Sequence, residues 1–181
     1  MEWPRSVSSW AGIGLCVLIA ATLLAIGTLI TWLFGGEKTD LDLILESSFQ
    51  ARLVTVFLAV FTAPLIEEVI YRGILYPAIA RVLGAAAGIA LVSILFAGVH
   101  FYQYKNNLAV VAVIMLLSVS LTIVRALTHR LLPSFVIHLV FNGIQSILIL
   151  LQPYFSKAEP ITPPPTVPGL DLLSFTLRHF F

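Results

Sequence analysis

Charge is scarce in this 181-residue sequence: ten Lys and Arg and nine Asp and Glu make up 10% of it, against 59% hydrophobic residues. A soluble domain carries roughly 25% charged residues, so a water-facing globular surface is excluded and a multi-span membrane protein is implied. The net charge of +1 leaves no basic face for a nucleic-acid backbone, and no nucleic-acid motif is present. One cysteine, Cys16, lies inside an apolar run. A lone thiol builds neither a disulfide framework nor a thiolate metal site, and an inert apolar side chain is its expected role. No internal repeat is evident, which argues against the paired-repeat plan of many carriers. The first apolar segment also lacks a small-residue cleavage pattern, so it reads as a retained span.

What is present is a succession of apolar runs. "WAGIGLCVLIAATLLAIGTLITWLF" (10–34) is an uninterrupted span with tryptophans at both ends, the expected interfacial anchors. "GGEKTDLDLILESS" (35–48) is a polar, acidic loop with room for a short surface helix. A second helix begins near Phe49, passes through "APLIEEVIYRG" (63–73) and continues to about residue 82. At about 1.5 Å per residue it outruns a hydrocarbon core of roughly 30 Å. Pro64, Gly73 and Pro77 offer places to bend. Further spans are expected at 85–102, 107–127 and 133–151. The predicted fold is an all-α polytopic transmembrane bundle of about five spans with a catalytic core of four helices. Three regions follow: residues 1–48, the first span and acidic loop; 49–152, the membrane core; and 153–181, a proline-rich linker and amphipathic tail. Arg5, Arg72, Arg81, Arg125 and Arg130 fall to one side, with Lys38, Lys105, Lys157 and Arg178 to the other. That bias favours an inside N-terminus and an outside C-terminus.

Ionisable groups inside spans cost about 2.5–3.5 kcal/mol each on insertion scales, so they are expected to face a cavity or a partner. Apart from Arg125, expected to snorkel from the end of its span, they form three clusters: Glu67, Glu68 and Arg72; His100 in "FAGVH"; and His138 with Asn142 in "HLVFN". Each lies on a different predicted helix, so a bundle brings them to one point. Glu68 and Arg72 stand at i,i+4 with the acid first, the favourable order for a helical ion pair. Glu67 lies about 100° around the helix and is free to face elsewhere. Taken singly, each cluster has a bland structural reading: an ion pair at a helix end, an interfacial histidine, an interhelical hydrogen bond. Their coincidence in one small apolar chain points instead to a buried proton-transfer site. Glu67 is the expected general base, and Arg72 holds Glu68 as a charged structural partner.

The three motifs Glu-Glu-x-x-x-Arg, Phe-x-x-x-His and His-x-x-x-Asn occur in that order on successive apolar segments, over about residues 50–151. In this the chain resembles the CPBP (Abi) family of CAAX prenyl proteases and bacteriocin-processing intramembrane endopeptidases, and looks like a compact version of it. The resemblance implies a glutamic-type peptidase without a metal cofactor, in which His100 joins Glu67 in positioning water. It implies that His138 and Asn142 donate hydrogen bonds to the oxyanion, while Phe96 packs. It also implies a membrane-associated protein or peptide substrate: a prenylated C-terminus, a bacteriocin leader or a C-terminal sorting tail. The compact size suggests a prokaryotic plasma membrane.

Other chemistries have less support. Ser93, Ser118, Ser120 and Ser134 lack the strand–turn–helix setting of a nucleophile elbow. Zinc is the alternative mechanism, because Glu67, His100 and His138 offer three ligands and leave a position for water. No His-Glu-x-x-His helix accompanies them. A proton-coupled transporter would also use an intramembrane Glu–His relay. A non-catalytic membrane partner would be expected to lack one of the catalytic groups, and none is missing.

Overall fold

The computed structural model describes residues 10–156, which form six helices. They are α1 (Trp10–Phe34), α2 (Asp40–Ser47), α3 (Phe49–Leu83), α4 (Ala85–Tyr104), α5 (Leu108–Thr128) and α6 (Leu132–Ser156). All but α2 are long and apolar enough to cross a membrane, so the expected all-α multi-pass bundle is borne out. The expected linker begins later than the sequence suggested, because α6 continues through Pro153 to Ser156. The tail beyond it, and residues 1–9, lie outside the described residues, as do Arg5, Lys157 and Arg178.

The helix boundaries follow local chemistry. The acidic loop does contain a short helix, α2, and it opens with a reciprocal capping box. The Thr39 hydroxyl accepts from the Asp42 backbone N–H at 3.4 Å, and the Asp42 carboxylate accepts from the Thr39 N–H at 2.6 Å. Asn107 caps α5 by accepting from the Val110 N–H at 3.3 Å. Gly84 separates α3 from α4 at φ 85°, a left-handed conformation that a side chain would strain.

Long α3 resolves its prolines by widening twice into π-helix, over Leu58–Thr62 and Glu68–Leu75. In the first segment the Ala63 N–H bonds the Leu58 carbonyl, five residues back. The Ala59 carbonyl would next look to residue 64, but that is a proline with no N–H. Asn142 on α6 fills the gap, its Nδ2 donating to the Ala59 carbonyl at 2.9 Å. The second segment repeats the pattern. The Tyr76 N–H bonds the Tyr71 carbonyl, Pro77 leaves the Arg72 carbonyl without its next donor, and Arg125 Nε on α5 supplies one at 3.2 Å. Arg125 therefore does not snorkel outward as expected. It is half-buried and serves a backbone group that the lipid interior would leave unsatisfied. The expected bends are thus π-bulges braced from neighbouring helices.

The core forms where α1, α5 and α6 meet, around Cys16, Ala20, Val113, Leu117, Leu121 and Phe141. Cys16 is buried in it, in the inert role expected. Short turns join α4 to α5 and α5 to α6, so α4 and α6 run in the same direction. At their C-terminal end the chain leaving α1 packs closely: a Cβ on Gly36 would come within 2.7 Å of the Asn106 carbonyl. That contact sets α2 across this end of the bundle, with Leu41 over the cavity described below. Outward-facing Leu29, Phe57, Phe61, Ile74 and Ile94 are exposed, as a lipid-facing surface requires.

Candidate active site

The wide turn of α3 that carries Glu68 and Arg72 turns both fully inward. Arg72 Nη1 donates to Glu68 Oε1 at 3.0 Å, the ion pair that the i,i+4 spacing announced. Three further donors of the guanidinium are met by α5. Nη2 donates to the Ser118 hydroxyl at 2.7 Å and to the Ser118 carbonyl at 3.1 Å, while Nε reaches the Thr122 hydroxyl at 3.3 Å. Phe96 covers the cation, its ring centroid 4.6 Å from Arg72 Cζ. A buried charge is tolerated when its donors are engaged, and four of the five guanidinium N–H groups are. Glu68 has a further partner that the sequence did not reveal: His138 Nδ1 stands 3.1 Å from the same Oε1. Its second oxygen, Oε2, accepts from none of the described residues.

Glu67, one position earlier, faces the other way. Its side chain is 21% exposed, and each of its oxygens meets an imidazole: His100 Nε2 lies 3.6 Å from Oε1 and His138 Nε2 lies 3.6 Å from Oε2. The other ring nitrogens fix the tautomers. A carbonyl has no proton to give, so His100 Nδ1 must donate to the Phe96 carbonyl, 2.8 Å away. His138 Nδ1 likewise donates to the Glu68 carboxylate. With Nδ1 committed in each ring, Nε2 is the nitrogen turned toward the Glu67 carboxylate. A gap of 3.6 Å is too short to admit a water between the two atoms, so a water that touches both groups must sit to one side of them, in the adjoining cavity. Phe96 holds this geometry by packing against His100 at 4.7 Å between ring centroids and against His138 at 6.0 Å.

These groups line a cavity of about 230 Å³ that runs from Glu67, past Asn142, toward α2. Glu67 is its only lining carboxylate among the described residues. The structure thus gathers Glu67, His100, His138 and Asn142 around one space, with Glu68 and Arg72 behind them and Phe96 between. One N–H of the Asn142 amide is engaged with Ala59, and a second remains. Among the described residues no group of three His, Cys, Asp or Glu side chains is arranged to hold a metal ion. Sequence reasoning missed Ser118 and Thr122, whose only sign was a pair of hydroxyls at i,i+4 in an otherwise apolar span. It also missed Gln103 and Gln145, which line the same cavity three residues beyond His100 and Asn142.

A family model described as type II CAAX prenyl endopeptidase Rce1-like matches residues 49–144, more than half of the chain and all of the cluster above. No curated protein and no solved structure gives a significant match.

Proposed function

The chain belongs to the Rce1-like family of type II CAAX prenyl endopeptidases, which makes it an intramembrane endopeptidase; from that premise we propose that Glu67 activates the hydrolytic water without a metal. The observation that carries this reading is the placement of both imidazole Nε2 atoms against the two oxygens of one partly exposed carboxylate. Water in the cavity beside this carboxylate gives a proton to Glu67 while His100 orients it, and its oxygen attacks the peptide carbonyl carbon. The tetrahedral oxyanion receives the second N–H of Asn142. His138 lines the same space and adds its Nε2 to that polar wall. Glu67 then passes its proton to the leaving amine as the C–N bond breaks.

The metal-free form of the mechanism has a geometric argument behind it. Were Glu67 a zinc ligand, the described residues of the cavity would hold no other carboxylate to serve as base, since Glu68 is committed to Arg72 and His138. The substrate in this reading is a membrane-associated protein or peptide cut near its C-terminus or leader.

The test is cleavage of a fluorogenic peptide by purified protein, beside Glu67→Gln, before and after stringent chelation. We expect turnover to survive chelation and to fall by roughly 10²–10⁴-fold in the variant. Stoichiometric zinc in active protein, lost together with activity on chelation, would overturn the metal-free reading.

A further inference from the structure

Two glutamines on the cavity wall have no part in the mechanism above. Gln103 follows His100 by three residues on α4, and Gln145 follows Asn142 by three on α6. Both are half-buried and line the cavity, and neither side chain has a hydrogen-bond partner among the described residues. Gln145 lies within its span, where an unpaired amide is costly, and Gln103 lies at the end of α4 on the same cavity wall, so the pair calls for a ligand. The walls around them are apolar at Val110, Val113, Ile114 and Leu117, with the Tyr104 phenol as one further polar group.

We infer that Gln103 and Gln145 form an amide clamp for the main chain of an extended peptide, on the side of the scissile bond nearer α2. The inference rests on the endopeptidase reading and names how that site holds its substrate. A peptide entering a low-dielectric cavity must have its N–H and C=O groups satisfied by the protein, since little water is there to do so. A primary amide offers both a donor and an acceptor, carries no charge to desolvate, and recognises backbone whatever the side chains are. The apolar walls then suit the side chains of a hydrophobic segment.

Position sets the subsites. Because α4 and α6 run in the same direction, both glutamines lie on the same side of the catalytic cluster. At about 1.5 Å per residue, Gln103 lies about 4.5 Å beyond His100 and Gln145 about 10 Å beyond His138. An extended chain advances about 3.3 Å per residue. Gln103 therefore meets the backbone one or two residues from the scissile bond, and Gln145 about three residues from it.

The experiment uses the full chain in detergent micelles and a dye-labelled nonapeptide of alanine, leucine and valine. Binding is read by fluorescence anisotropy on Glu67→Gln, so that turnover does not intervene, and KM and kcat are read on the active chain. Gln103→Leu and Gln145→Leu are each expected to weaken binding and raise KM roughly three- to tenfold while kcat holds, the effect of one lost hydrogen bond. A set of peptides, each N-methylated at one backbone nitrogen, is run on the unsubstituted glutamines, so the test stands even where a variant folds poorly. Affinity should drop at positions one or two and about three residues from the cut, and nowhere else on that side. A flat methylation profile, unchanged affinity and KM in both leucine variants, or no binding of the peptide would overturn the clamp. Peptide that binds with this profile but is never cut would refute the hydrolytic reading and leave the clamp standing. Peptide that is cut with unchanged KM in both variants would do the reverse.

Discussion

Glu67 and Glu68 are consecutive residues of one helix, yet their surroundings have little in common. Glu68 is buried, and its Oε1 takes an arginine from its own helix and a histidine from α6. Glu67 is partly open to a cavity, and its nearest charged or chargeable partners are two imidazoles at 3.6 Å. One carboxylate is held in a buried ion pair and the other opens to a cavity, with His138 reaching both through its two ring nitrogens. Proton transfer needs the second environment, and a buried ion network needs the first. A π-helical turn beginning between the two residues aims adjacent side chains in these different directions.

The largest stability effect should come from the closed side. Arg72→Ala leaves Glu68 buried with only an imidazole, and breaking such a pair typically costs about 3–5 kcal/mol. We expect a lower unfolding temperature and a lower folded yield, measured by thermal unfolding in detergent. Undisturbed stability with selectively lost turnover would instead put Arg72 in the chemistry and erase the contrast between the two glutamates.

A smaller effect sharpens the comparison at Asn142, which belongs to both sides. Its amide completes the Ala59 carbonyl and also faces the cavity. Asn142→Ala should cost about 1–3 kcal/mol, the penalty of an unsatisfied buried carbonyl. In a Pro64→Ala background the helix regains an N–H for that stretch, and the stability cost should shrink while the loss of turnover remains. A double-mutant cycle reads both quantities. Equal stability costs in the two backgrounds would contradict the orphan-carbonyl account.

The smallest effect concerns α2, over the cavity end. Burial pushes the Asp42 carboxyl above the usual Asp value of 3.8, against the hydrogen bonds from Thr39 that act to lower it. With the folded pKa raised, the contribution of Asp42 is fully present below that unfolded value and is lost as pH rises through the folded one. Asp42→Asn should therefore gain stability relative to the parent chain as pH rises from about 4 toward neutrality. Unfolding temperatures of the two proteins across that range give the sign directly, and a parent that gained on the variant would reverse it.

Much of this was legible in the sequence. Long apolar runs between polar turns located all five spans, with the third expected at 85–102 and found at Ala85–Tyr104. The i,i+4 spacing of Glu68 and Arg72 announced their pair, because both partners sit on one helix. What depended on a second helix was not legible. Ser118 and Thr122 reach Arg72 across more than forty residues of chain, and nothing local marks them as its partners. Asn142 and Arg125 brace carbonyls orphaned by prolines on α3, which requires knowing which helices meet. A trace was present all the same: Pro64 and Pro77 each stand five residues after a carbonyl that needs an outside donor. Arg125 was expected to reach for water because a lone cation near a span end usually does. Here an unsatisfied peptide group inside the bundle is the stronger attraction.

The division of labour between the two glutamates is most directly tested by measuring turnover and thermal unfolding on the same preparations of Glu67→Gln and Glu68→Gln. The substitutions are isosteric and one position apart, so chain position and side-chain volume are controlled. Glu67→Gln should lose at least about 10²-fold in turnover and unfold at the temperature of the parent protein, whereas Glu68→Gln should unfold at a clearly lower temperature. A Glu67→Gln protein that keeps its turnover, or that loses stability as Glu68→Gln does, would contradict the account.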